Sequence, residues 1–364
     1  MRLSRALSLA VPAFLAAMAG PAHAEWYGNL TDLSGVVDTD QAPAAEIVRT
    51  RLTGGWNHDF SAQWRLEAGG QGDWTKLGPP RVAASTLDGE AGRLWAEGQR
   101  SSADGSSLYS ARLERLFLKF TEARWEVSAG RVPVGWGDSK VYQPTRIFHA
   151  PSPLEAFRDP QPGNDGWDAV YTLWPNTKLE AAQRWLRDGH SEWVVRMENQ
   201  GIGFSGTPLY ARREGEDGIG AELSATFRRF QCRLEGVGWH PLGGSGRPLE
   251  WVAGFSTAYH EFPIHIEYLW DGTGRVFGPA ATDPGARAGY LSVGIETPNY
   301  YRLRWNPKLV RSPGNGRLLA EPGLLYEFSK HLELGLGGQW TVGRAAGPLG
   351  NLPRKLWVYA DMKL

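Results

Sequence analysis

Over long stretches of this chain the hydrophobic pattern has a period of two, which predicts β-strands rather than helices. Phe60, Ala62, Trp64, Leu66 and Ala68 alternate with Ser61, Gln63, Arg65, Glu67 and Gly69. Ile219, Ala221, Leu223, Ala225 and Phe227 alternate in the same way with Gly220, Glu222, Ser224, Thr226 and Arg228. So do Ile264, Ile266, Tyr268 and Trp270 with His265, Glu267, Leu269 and Asp271. Each strand therefore has one apolar face and one polar face.

A soluble sandwich would also show this alternation, with one face on a core and the other in water. Three features favour a membrane barrel. The strands commonly run to ten residues or more, the length a tilted bilayer crossing needs. Short turns alternate with long loops. Trp56, Trp74, Trp125, Trp174, Trp239, Trp270 and Trp340 fall near strand ends, where an aromatic girdle meets the lipid headgroups.

Eight tight turns are expected on the periplasmic side, near 57–59, 121–123, 175–176, 199–201, 229–230, 261–263, 297–299 and 329–331. Nine longer connections, near 38–45, 75–106, 136–164, 187–191, 212–217, 240–249, 271–288, 306–317 and 343–353, face outward. The fold class is therefore all-β, a transmembrane antiparallel β-barrel of about 18 strands. The strand near 26–37 and the pair around 191–211 are the least regular, which leaves 16 strands as the alternative. Leu356, Val358, Ala360, Met362 and Leu364 form an apolar stripe that makes the C-terminus a last strand. That strand resembles the signal read by the barrel-assembly machinery, although it ends in Leu where Phe is usual.

The N-terminus changes the picture of location. Met1 to Arg5 is basic, Ala6 to about Ala19 is apolar, and Ala22-His23-Ala24 supplies a small-residue cleavage pattern. Residues 1–24 are read as a signal peptide and 25–364 as a single barrel set among outer-membrane lipid. No later apolar run approaches the ~20 residues of a membrane helix, and no composition shift divides the chain. Cys232 is the only cysteine, which excludes a disulfide framework and cysteine-pair zinc sites. Thirty-nine basic residues balance 39 acidic ones, so nothing points to nucleic acid. Arg outnumbers Lys 31 to 8, either for its planar fork or from genome composition.

Little in the sequence suggests catalysis. Gly335, Gly337 and Gly338 have no helix after them, and Gly203-Phe204-Ser205-Gly206 is not a nucleophile elbow. His260 and His265 have no metal-ligand spacing around them. Cys232 alternates with Leu234 on the lipid face, as a small hydrophobe. No cofactor is implied. Charges and apolar residues share both parities over 112–120, which calls for a β-bulge or for a wall that faces a partner protein.

The densest segment is Arg131-Val132-Pro133-Val134-Gly135-Trp136-Gly137-Asp138, followed by Phe148-His149-Ala150-Pro151-Ser152-Pro153 and by Arg158 to Gly166. A strand ending in Gly130-Arg131, a Trp-Gly pair, a Pro-rich loop and a Gly-Asn-Asp-Gly entry to the next strand resemble the alginate-export type of outer-membrane barrel and its porin-like relatives. The resemblance covers about forty residues. It implies an 18-stranded barrel with an arginine-lined lumen that passes an anionic polysaccharide, working with periplasmic export partners.

On the polar phase of the strands, the lumen candidates are Arg49, Arg51, Arg65, Arg131, Arg184, Arg196, Arg228, Arg233, Arg302 and Arg304. Glu67, Asp73, Glu126, Asp168, Glu180, Glu222, Glu235 and Glu267 oppose them. Such a ladder sets selectivity, or merely holds the barrel rigid. Within the third outer loop, Trp136, Asp138, Arg146, Arg158 and Asp159 are candidates for a constriction. The expected function is an outer-membrane channel for an anionic polysaccharide or other anionic solutes. The alternatives are a non-conducting barrel that anchors surface polysaccharide or sheathes a redox protein, and a barrel lipid hydrolase.

Overall fold

The computed structural model describes residues 24–39, 42–77, 98–102, 107–137, 139, 142–148, 163–213, 215–241, 248–259, 262–272, 288–295, 297, 302–312, 318–342 and 354–363. The expected export segment, apart from Ala24, lies outside the described residues, as do His260, Asp138, Arg158 and Asp159.

Twenty-one strand segments follow one another. The first seven are β1 (Ala24–Thr39), β2 (Ala42–Asp59), β3 (Trp64–Leu77), β4 (Gly98–Ser101), β5 (Ser107–Glu122), β6 (Trp125–Val132) and β7 (Asn164–Trp174). The next seven are β8 (Thr177–Trp185), β9 (Ser191–Gly201), β10 (Phe204–Arg213), β11 (Glu216–Phe227), β12 (Phe230–Pro241), β13 (Leu249–Tyr259) and β14 (Phe262–Asp271). The last seven are β15 (Ala288–Ile295), β16 (Leu303–Trp305), β17 (Lys308–Arg311), β18 (Leu318–Glu321), β19 (Gly323–Ser329), β20 (Leu332–Val342) and β21 (Arg354–Lys363).

Every pairing is antiparallel, and β1 pairs with both β2 and β21, so the sheet closes on itself. The result is a closed barrel of 18 strands with no helix among the described residues. Segments and strands differ in number for local reasons. Pro307 separates β16 from β17 and Pro322 separates β18 from β19, because proline has no N–H to give to the ladder. Their carbonyls still accept, from Ile295 and Gly338 at 3.1 Å each. β4 pairs with β5 from Leu108 to Ala111, above the point where β6 leaves that strand opposite Leu116. The strands at 26–37 and 191–211, the least regular in sequence, are all present as β1, β9 and β10.

Side chains alternate between lipid and lumen as their period requires. On β14 Ile266 is exposed on the outer face, while Glu267, Leu269 and Asp271 are buried on the inner face. Cys232 and Leu234 face outward together. The mixed parity over 112–120 resolves as the expected bulge. Gly69 lies opposite Arg115 and Gly70 opposite Leu113, so Glu114 is the extra residue on β5. Below it Arg115 and Phe117 face the lumen, and above it Leu108 and Ser110 do.

The first inner turn differs from expectation. β2 continues to Asp59 and the turn is 60–63, where a turn at 57–59 and a strand from Phe60 were predicted. Ser61 Oγ accepts from the backbone N–H of Gln63 and Trp64 at 3.2 Å each, a local bond that stabilises this turn four residues later. Arg228 (φ 55°) and Arg302 (φ 69°) are likewise turn residues and not strand residues.

Candidate functional site: an in-folded loop across a charged lumen

Beyond Val132 the chain turns into the barrel instead of outward. On β8 to β12 the inner face carries apolar side chains where charge would be usual: Ala182, Val194, Leu209, Ala211, Val237 and Trp239. Val134, Trp136, Ile147 and Phe148 of the third outer loop pack on this patch. Each such burial contributes about 1.5–3 kcal/mol.

Polar groups then latch the loop. Trp136 Nε1 donates to Glu180 Oε1 at 2.6 Å. The Ser139 amide donates to Glu235 Oε1 at 2.5 Å and the Thr145 hydroxyl to Glu235 Oε2 at 3.2 Å. Tyr142 donates its hydroxyl to Glu250 Oε2 at 3.1 Å. Burial and the Glu250 carboxylate push the Tyr142 phenol well above its ordinary range, which keeps it a neutral donor. Arg184 donates to the Phe148 carbonyl and, at 2.5 Å, to Glu192. Gln143 Nε2 closes the loop on itself, bonding the carbonyls of Gly137 and Ser139 at 3.0 Å each. Arg196 lies over the Trp136 ring, 5.1 Å from its centroid.

The loop thus covers one side of the lumen. Glu192, Glu235, Glu250, Val194 and Val237 are fully buried behind it. On the opposite wall, from β16 round to β5, Arg49 is 26 %, Arg115 30 % and Arg304 39 % exposed, while Asp73 and Arg112 are buried. The two face each other across the lumen.

The lumen candidates separate into three groups. Arg49 and Arg51 meet Asp73 Oδ1 at 3.0 and 2.8 Å, and Arg112, at 3.6 Å, shares Oδ2 with Gln71 and Ser110. Glu67 pairs with Arg115 at 2.9 Å and Arg304 with Glu333. These line the open wall. A second group supports the loop or lies beneath it. Arg196 pairs with Glu180 at 2.7 Å and meets Glu222 at 3.7 Å. Asp168 faces the lumen opposite Ala182, Arg233 donates to Ser256 at 2.6 Å, and Arg146 reaches Gln143 Oε1 at 3.3 Å.

A third group is elsewhere. Arg131 is locked by two 2.7 Å bonds to Asp165 and one of 2.6 Å to the Leu113 carbonyl, with its side chain only 3 % exposed. Arg65 grips Asp59 at 2.6 Å at the inner rim. Arg228 caps the Phe227 ring in a turn, and Arg302 donates to the Phe328 carbonyl at 2.8 Å. Their apparent parity had been carried past the true strand ends. Sequence reading passed over Tyr142, Ser139, Thr145 and Glu250; the signal present was the run of apolar residues in the polar phase of β8 to β12.

A hydrolase would need a serine held by a histidine. Ser256 Oγ lies 3.0 Å from His265 Nδ1 inside the lumen, but Arg233 donates to the same hydroxyl.

The closed 18-stranded antiparallel barrel matches the architecture of bacterial outer-membrane porins. The solved structures it resembles are of that kind. Acinetobacter baumannii OccAB4 shares 11 % identity at a TM-score of 0.62, over 94 % of this chain and 98 % of that one. Pseudomonas aeruginosa OccK7 (OpdD) shares 10 % at 0.62, over 94 % and 99 %, and OpdQ of the same organism 8 % at 0.62, over 94 % and 98 %. At these identities the likeness carries the fold alone, and it does not single out the alginate-export type. No protein-family model and no curated protein matches the chain.

Proposed function

We propose that the chain is a passive outer-membrane channel, delivered by a signal peptide at 1–24 and folded by the barrel-assembly machinery, that passes anionic solutes. The observation that carries this reading is the asymmetry of the lumen. A loop latched to Glu180, Glu235 and Glu250 covers one side, and on the other Arg49, Arg115 and Arg304 keep contact with solvent, with Arg51 and Arg112 packed behind them on Asp73. Charged side chains at a constriction bias which ions pass, because the low-dielectric wall strengthens their field. That the similar structures are porins fits a protein without enzymatic chemistry.

The test is planar-bilayer conductance of the mature protein, with reversal potential in a salt gradient. Anion preference that falls in Arg49→Glu and Arg51→Glu supports the reading. A silent barrel or an unchanged reversal potential overturns it. A polysaccharide export path, working with periplasmic partners, is the narrower version suggested by the alginate-export-like loop segment. Block of the current by uronate oligomers tests that version.

A further inference from the structure

The open wall carries an aromatic feature that the charge pattern does not explain. Tyr27 on β1 and Trp357 and Tyr359 on β21 all face the lumen, and each lies across a glycine of the neighbouring strand. The register places Tyr27 opposite Gly55, Tyr359 opposite Gly335 and Trp357 opposite Gly337. A Cβ built on any of these glycines would fall under 3 Å from three atoms of the facing aromatic side chain. Glycine alone leaves room for that, so each ring lies over its glycine against the sheet, and Trp357 and Tyr359 remain partly exposed. Tyr27 is 44 % exposed.

Hydrogen-bonding groups flank the rings. Glu67 and Arg115 stand beside Tyr27. Tyr359 donates to Glu333 at 2.9 Å, and Glu333 also holds Arg304. Thr31 and Asp361, bonded at 2.6 Å, lie between the two ends of the row. Trp357 and Tyr359 are about 7 Å apart along the strand, and Tyr27 lies about 20 Å further towards the inner mouth, at ~3.3 Å per residue.

We infer that this wall is a sliding surface for pyranoside chains. A sugar ring has an apolar C–H face that stacks on an aromatic ring, and equatorial hydroxyls that both donate and accept. Carboxylates accept from those hydroxyls and arginines donate to them, so both signs of charge beside the rings are used. An aromatic acid would satisfy the arginines but be repelled by Glu67, Glu333 and Asp361. The inference rests on the channel reading and narrows its solute to saccharides. Stacking does not require charge, so neutral chains are included.

The experiment is single-channel recording with maltohexaose, a neutral probe, and hexagalacturonate, an acidic one. Both should interrupt the current. Trp357→Ala and Tyr27→Ala should each weaken maltohexaose block about tenfold, with reversal potential unchanged, whereas Tyr359→Phe should retain the block. Tyr268→Ala is the control, since Tyr268 lies over Gly289 in the same way but on the lipid face, and it should change nothing. Heat-modifiable gel mobility verifies that each variant folds. A conducting channel that maltohexaose does not block, or blocks equally in Trp357→Ala and Tyr27→Ala, overturns the saccharide inference and leaves the channel reading intact. If the barrel is silent the channel reading falls, and calorimetric titration of maltohexaose then decides: heat lost in Trp357→Ala retains the site, and no heat in the parent removes it.

Discussion

Asp73 ties several strands of the lumen wall together. Its side chain is 3 % exposed, and it sits among Arg49, Arg51 and Arg112. Removing one partner from a buried charge cluster is far more costly than the cluster is worth intact, because the remaining charges lose their counterion without regaining water. Asp73→Ala should therefore lower stability by about 3–5 kcal/mol, read as a reduced urea midpoint in detergent. Arg49→Gln, at the better solvated edge of the same cluster, should cost under about 1 kcal/mol while still reducing anion preference. Equal losses in both variants would mean that the hub is not held as described. Arg49 and Arg51 could be placed from sequence because strand parity alone sends them inward. Arg228 and Arg302 could not, because parity contains no information about where a strand stops, and both are in turns.

At the level of elements, the third outer loop and the strands beneath it depend on each other. Trp136, Ile147 and Phe148 have an apolar seat only because β8 to β12 break their polar phase at Ala182, Val194, Ala211 and Val237. The length and proline content of 136–164 were legible as a potential constriction. Its landing place was not, since it depends on which strands become neighbours across the lumen. Deleting 136–148 should raise single-channel conductance several-fold and expose Val194 and Val237 to solvent, whereas unchanged conductance would mean that the loop does not narrow the lumen. Glu235→Ala takes away the acceptor of both Ser139 and Thr145. Hydrogen bonds to a charged group contribute about 1.5–3 kcal/mol each, so this variant should show frequent transitions between conductance levels where the parent is steady. The bulge at Glu114 was readable as a parity conflict. The loop's return explains why it persists, since the Gly163 amide bonds the Glu114 carbonyl at 2.9 Å.

The closed sheet of the whole molecule was evident from the uniform rhythm of strands, short turns and long loops, together with the absence of any run long enough for a membrane helix. Closure itself is a long-range event. β1 must find β21 across some 330 residues, as the Thr31–Asp361 bond marks. The two strands share a register from Asn29 opposite Lys363 to Asp38 opposite Arg354. In hydrocarbon an unpaired backbone N–H or C=O costs several kcal/mol, with no water to take its place. A barrel that loses one strand cannot close without tilting and shifting every other strand. Removal of residues 354–363 should therefore abolish the heat-modifiable band and leave the chain open to protease, even though no lumen arginine of the open wall is lost. Pro substitution at Val358, which faces lipid between two paired strands, should give a milder version of the same defect. It takes one N–H from the ladder and leaves the other four residues of the C-terminal stripe in place. If the truncated chain still yielded a compact, protease-resistant barrel, the β1–β21 seam would not be the joint that closes the molecule. The lumen would then be bounded by some other pairing, and the wall built on that seam would have to be redrawn.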